Sequence, residues 1–63
     1  MLNILVTDFE NSGDDVMIFT NSYTLDEVEN TLKNKGAQFN EIYEVKDDEL
    51  QYYIYEPCHL EKK

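Results

Sequence analysis

LNILVTDFENSGDDVMIFT, residues 2–20, contains two runs of β-branched and other apolar residues separated by a polar loop. Short runs of this composition, bounded by Asn, Ser, Gly and Asp, are typical of strands. We therefore predict a first strand over Leu2–Phe9 and a second over Val16–Thr20. The loop that joins them makes the pair a β-hairpin.

The loop DFENSGDD, residues 8–15, begins like a calcium-binding loop but does not end like one. A loop that starts at Asp8 has oxygen-bearing side chains at its first, third and fifth positions and Gly13 at its sixth. The twelfth position, which needs a bidentate glutamate, is Phe19. The turn-forming residues explain the segment as a hairpin connection, and weak, unselective cation binding is the alternative.

A helix follows this hairpin. Thr24 and Glu27, three residues apart, match a capping box at a helix start, and Gly36 supplies a C-terminal stop. Between them the large apolar residues recur on one helical face: Leu25, Val28 and Leu32. The sequence therefore predicts one helix with an apolar stripe that packs on a sheet.

Two further β-rich runs, Phe39–Val45 and Leu50–Glu56, lie on either side of the turn-like sequence KDDE. They predict a second hairpin, and Pro57 is expected to end its last strand. The predicted fold is a single α+β domain over residues 1–63. Its elements follow the order ββαββ and form a four-stranded antiparallel sheet with one helix packed on one face.

Both faces of the predicted sheet carry apolar side chains. In the first strand Ile4 and Val6 share one face, whereas Leu5 lies on the other. A single helix covers one face, so we expect the second face to be partly exposed or covered by another chain, for example in a homodimer. The alternative is that tyrosines line a half-wet sheet surface, which antiparallel sheets tolerate.

Charge is the most unusual feature of the composition. Fourteen Asp and Glu oppose five Lys, without any Arg, and give a formal net charge of −9. We expect no direct binding to nucleic acid, because that mode needs Lys and Arg to displace counterions from phosphates. Anionic membranes are disfavoured for the same reason. An apolar content of 41%, with five Tyr and three Phe, argues for a folded chain rather than a disordered one.

Cys58 is the only cysteine, and the sequence has neither a basic leader nor a long apolar segment. We therefore expect a soluble protein of the reducing cytoplasm, in a bacterial host cell. Cys58 and the only histidine, His59, point apart if the strand continues, which argues against a nucleophile and base pair. With no catalytic constellation or glycine-rich phosphate loop, we expect no enzymatic activity, no metal and no cofactor.

The acids fall into groups that the predicted topology brings to one end of the domain. The helix start and the KDDE turn both lie at that end. Structural roles account for some members, because acids at a helix start complement its dipole and Glu29 can pair with Lys33 one turn later. A basic protein partner would explain the excess. The predicted partner-binding residues are Asp26, Glu27, Glu29, Asp47, Asp48, Glu49, Tyr53 and Tyr55.

Two functions fit this surface. The first is an inhibitor that mimics nucleic acid and occupies the basic nucleic-acid-binding groove of a host enzyme. The second is a small regulatory or structural module, antitoxin-like or an assembly component, that dimerises or binds a partner through the second sheet face. The composition, rich in Asn, Tyr and acids and without Arg or Trp, resembles that of small acidic phage proteins that disarm host nucleases, including anti-CRISPR inhibitors. This resemblance favours the inhibitor and assigns no residue.

Overall fold

The computed structural model describes residues 1–63 and confirms an α+β fold with a four-stranded sheet and one α-helix. The strands are β1 (Leu2–Val6), β2 (Val16–Thr20), β3 (Ile42–Glu44) and β4 (Glu56–His59), and the helix is α1 (Leu25–Asn34). Two 3₁₀ helices interrupt the predicted ββαββ order, at Phe9–Asn11 and Asp47–Tyr52. None of the helices has the length and apolar character needed to span a bilayer.

The sheet is mixed, with the strand order β3-β1-β2-β4. β1 runs antiparallel to both β2 and β3, whereas β4 runs parallel to β2. The predicted fully antiparallel sheet is therefore wrong. β3 and β4 point the same way on opposite edges of the sheet, and two parallel strands cannot be joined by a tight turn.

The predicted second hairpin is replaced by a crossing segment, residues 45–55, which carries the chain from β3 to the far edge. Its acidic start, Asp47 to Glu49, lies in the first turn of a 3₁₀ helix, where negative charge complements the exposed backbone N–H groups. The alternation of apolar residues over 52–55 predicts a strand, but in the structure it separates Tyr53 and Tyr55, which pack on the sheet, from the exposed Tyr52 and Ile54.

Pro57 lies inside β4 rather than at its end. The Glu56 N–H donates to the Asp15 carbonyl, directly before β2, at 2.8 Å, and the Leu60 N–H donates to the Phe19 carbonyl of β2 at 3.0 Å. In a parallel ladder every second residue directs its backbone N–H towards the same neighbour. The nitrogen of Pro57, one residue after Glu56, therefore faces away from β2. The missing N–H is harmless there, because β4 is an edge strand, and it leaves that edge poor in donors for further strands.

The first hairpin is confirmed, with Leu2 opposite Thr20 and Val6 opposite Val16. β1 ends at Val6, earlier than predicted, and Phe9 turns into the core on the helix side. The connecting loop is closed by its own hydrogen bonds, since the Gly13 N–H donates to the Asp8 carboxylate at 2.7 Å.

The helix has the predicted boundaries and caps. The Thr24 hydroxyl accepts from the Glu27 N–H at 3.2 Å, and the Glu27 carboxylate accepts from the Thr24 N–H at 3.0 Å. At the other end Gly36 has a φ of 75°, which glycine adopts without strain. The Gly36 N–H donates to the Lys33 carbonyl and the Ala37 N–H to the Leu32 carbonyl, so a Schellman motif ends the helix.

Both faces of the sheet are covered by the chain itself. On the first face α1 packs over a buried cluster of Ile4, Val6, Ile18 and Val28. On the second face the crossing segment packs over Leu5, Met17 and Val45, through Leu50, Tyr53 and Tyr55. The second face is therefore covered largely by the chain itself, and Tyr53 and Tyr55 are half-buried there. The crossing segment supplies the second layer because β4 pairs at the far edge.

We predict that Leu5→Ala lowers the free energy of unfolding by about 2–5 kcal/mol, because it opens a cavity in the core under the crossing segment. Leu5 is 1% exposed, whereas Ile54 in the crossing segment is 95% exposed. The matched control Ile54→Ala should change stability by less than about 0.5 kcal/mol. Urea unfolding followed by circular dichroism measures both, and equal effects would contradict a core on this face.

Candidate functional site

Half of the carboxylates have no partner within the chain. The chain contains one ion pair, between Lys33 Nζ and Glu29 Oε2 at 3.2 Å, as predicted. Seven of the fourteen acids accept a hydrogen bond or join this ion pair: Asp8, Glu10, Asp15, Glu27, Glu29, Asp47 and Glu61. The other seven are exposed and unpaired: Asp14, Asp26, Glu41, Glu44, Asp48, Glu49 and Glu56.

The two predicted acid groups lie towards the same end of the sheet but on opposite faces. Asp26, Glu27 and Glu29 belong to α1, which covers the first face. The other group, Asp47 to Glu49, begins the 3₁₀ helix of the crossing segment on the second face. The sheet separates them, so they do not form one continuous cluster.

Several predicted acids serve the fold. Glu27 completes the capping box, and the Thr24 backbone N–H is the main reason that the pKa of Glu27 lies below its usual value. Asp47 accepts a hydrogen bond from the side-chain amide of Asn3, a polar residue that is 3% exposed. Asp26, Asp48 and Glu49 accept no side-chain hydrogen bond and form no ion pair within the chain.

Four of the seven unpaired carboxylates lie in the edge strand β3 or in the residues next to it in the chain. Glu41 directly precedes β3, Glu44 ends it, and Asp48 and Glu49 follow in the crossing segment. We call these four residues the acidic edge. Lys46 lies among them but forms no ion pair with any of them. Sequence reasoning missed Glu41 and Glu44, because it placed β3 inside a hairpin rather than at an edge.

Tyr53 and Tyr55, which were predicted to contact a partner, pack on the second face and are half-buried there. The Tyr55 ring meets the Phe19 ring edge-on, with centroids 5.9 Å apart. The large apolar side chains that point outward from the crossing segment are Tyr52, 76% exposed, and Ile54, 95% exposed. The alternating pattern of the sequence correctly placed Tyr53 and Tyr55 on one side and Tyr52 and Ile54 on the other, but it did not show which side faces solvent.

The C-terminal residues are exposed but are hydrogen-bonded to the β2–α1 loop. The Glu61 carboxylate accepts from the Ser22 hydroxyl and from the Asn21 N–H, the latter at 2.9 Å. The Ser22 hydroxyl and then the Asn21 N–H hold the pKa of Glu61 below its ordinary value. Lys62 lies over the Tyr23 ring, 5.2 Å from its centroid. These contacts position Leu60 beside the sheet.

Cys58 and His59 occupy opposite faces of β4. Cys58 is opposite Ile18, on the helix side, and its thiol is exposed. The His59 ring stacks on Phe19 on the other side, with centroids 5.2 Å apart. The two side chains therefore do not face a common substrate position.

Comparison of the chain with protein-family models, with curated proteins and with solved structures found no match. Its surface is therefore assessed from its own geometry and charge.

Adjacent acids are expected to behave differently in stability measurements. Asp47→Ala removes one of the two acceptors of the buried Asn3 side-chain amide, whose other acceptor is the Val45 carbonyl, and should cost about 1–2 kcal/mol. Asp48→Ala removes an exposed, unpaired charge and should change stability by less than about 0.5 kcal/mol, towards stabilisation at low salt. Urea unfolding of the two variants side by side measures the difference. Equal losses would show that Asp48 also has a structural partner.

The C-terminal contacts should depend on pH through Glu61. Because its pKa is lowered in the folded chain, the contact is present above the ordinary carboxyl pKa and is lost as pH falls through the lowered value. Ser22→Ala should raise the pKa of Glu61 and speed amide exchange at Leu60 and Lys62, whereas Ser12→Ala should not. A carboxyl titration by NMR measures this, and an unchanged pKa in Ser22→Ala would rule out the proposed cause.

Proposed function

We propose that the protein is a small inhibitor that binds the basic, nucleic-acid-binding groove of a partner enzyme, with the acidic edge standing in for phosphates. The observation that carries this proposal is the excess of unpaired carboxylates on a folded scaffold. Only one of the fourteen acids forms an ion pair within the chain, and the formal net charge is −9. A partner with Lys and Arg in a cleft supplies the missing positive charge.

The acidic edge is suited to this role because its carboxylates sit on defined elements. Glu44 belongs to a sheet strand, and Asp48 and Glu49 to a 3₁₀ helix that the second core holds in place. Charges on ordered elements lose less conformational freedom on binding than charges on a flexible tail. Their mutual repulsion is a cost to the free protein, and a basic partner relieves it.

An exposed aromatic side chain adds a second kind of contact near these acids. Tyr52 ends the 3₁₀ helix that begins with Asp47, and it is 76% exposed. Protein interfaces draw much of their binding energy from a few apolar or aromatic residues surrounded by polar contacts. In this proposal charge guides the encounter and Tyr52 contributes the short-range contact.

The alternative of a regulatory or assembly module depended on an uncovered second sheet face. Leu50, Tyr53 and Tyr55 cover that face. Self-association would also bring two chains of formal net charge −9 together, which repulsion opposes at low salt. We therefore propose the inhibitor rather than the regulatory or assembly module. Its proposed setting, the cytoplasm of a bacterial host, is supported by composition alone.

Pull-down from a bacterial lysate tests the proposal. The tagged protein should retain a basic, nucleic-acid-binding enzyme at low salt and release it at high salt, because screening weakens charge attraction. The double variant Asp48→Asn/Glu49→Gln should bind about tenfold more weakly, because two exposed charges at roughly 0.7 kcal/mol each contribute about 1.4 kcal/mol.

The matched control is Asp14→Asn/Glu56→Gln. It removes the same charge from two other exposed, unpaired acids away from β3. It should bind within about threefold of the unmodified protein if the acidic edge is the contact surface. Equal losses of affinity in the two double variants would show that binding depends on net charge and not on the acidic edge. A partner that stays bound at high salt would overturn the proposal.

A further inference from the structure

An apolar groove of about 220 Å³ lies between α1 and the β2–β4 side of the sheet. It exists because α1 packs towards β3 and leaves the opposite part of its face uncovered. Leu32 of α1 forms one wall, and Cys58 and Leu60 form the other. Eight of its ten lining residues are hydrophobic. The groove is separate from the acidic edge, which lies beyond β3 on the other side of the molecule.

The polar residues that line the groove come from the helix side. They are Thr31 of α1 and Lys35, which caps α1 one turn later, in addition to the Cys58 thiol. Lys35 is the single charged residue in the lining and forms no ion pair. No carboxylate lines the groove, although the chain carries fourteen of them. An apolar groove that is lined by an unpaired ammonium group is complementary to an amphiphile with an anionic head.

The volume sets the size of that amphiphile. An apolar cavity of about 150 Å³ holds benzene, a molecule of six carbons. In proportion, 220 Å³ holds a chain of roughly nine carbons. Longer tails would extend past Leu60 into solvent.

We propose that this groove binds a free medium-chain carboxylate of roughly eight to ten carbons. Its tail lies between Leu32 and the Cys58–Leu60 wall, and its carboxylate meets Lys35 Nζ. This binding site is independent of the proposed inhibitor function, since it uses none of the acidic edge.

Cys58 provides the measurement, because it is the only thiol and lines the groove. Its alkylation rate by N-ethylmaleimide is followed by mass spectrometry, with decanoate or decyltrimethylammonium added below its micelle concentration. Decanoate should slow alkylation in a saturable way and more strongly than the cationic probe. The comparison is stringent, because the net charge of −9 favours the cation at other surface positions.

Two charge variants localise the head group. Lys35→Gln should weaken protection by decanoate by about threefold to fivefold, the range for an exposed ion pair, and Lys35→Glu should reverse the preference between the two probes. The matched control Lys33→Gln removes the same charge two residues away, outside the groove lining, and should leave protection unchanged.

Three outcomes would overturn the proposal. The first is the absence of protection by decanoate at any concentration below its micelle limit. The second is stronger protection by the cationic probe in the unmodified protein. The third is alkylation that slows with protein concentration alone, which would show that a second copy of the chain covers the groove.

Discussion

The constraint on which the structure depends is the two-sided apolar character of the β1–β2 hairpin. Ile4 and Ile18 face one side, and Leu5 and Met17 face the other. In a chain of 63 residues both sides must be covered by the few elements that remain. The chain achieves this with two crossovers, α1 from β2 to β3 and the crossing segment from β3 to β4. The first crossover runs across the sheet towards β3, and the second runs back across it towards β4. Both connect parallel strands, for which the right-handed crossover is preferred. Two right-handed crossovers that run in opposite directions lie on opposite faces of the sheet.

Local patterns in the sequence predicted the first half of the fold. The hairpin and its register, the Thr24–Glu27 capping box and the Gly36 stop all depend on residues close in sequence. The second half depends on which edge of the sheet the last strand joins, and no local pattern carries that information. Pro57 was the available signal, since a proline within a strand indicates an edge, but it was taken as a strand end.

The sequence predicted an acidic surface but not which of its carboxylates have partners within the chain. Sequence shows that Asp47 and Asp48 are both acids, whereas only the fold shows that Asp47 binds Asn3 and that Asp48 has no partner. The same limit applies to Tyr52 and Tyr53, which alternate between solvent and core. The sequence also did not predict the apolar groove beside α1, which forms because the helix lies towards β3.

Interstrand NOE contacts test most directly whether the chain covers both faces of its central hairpin. The strand order β3-β1-β2-β4 predicts backbone contacts between Ile18 and Cys58 in a parallel ladder, together with side-chain contacts between Leu5 and the Tyr53 ring. These contacts would establish the two crossovers and the acidic edge that they leave outside. An antiparallel ladder between residues 42–45 and 50–53, without contacts from Cys58 to β2, would contradict the account.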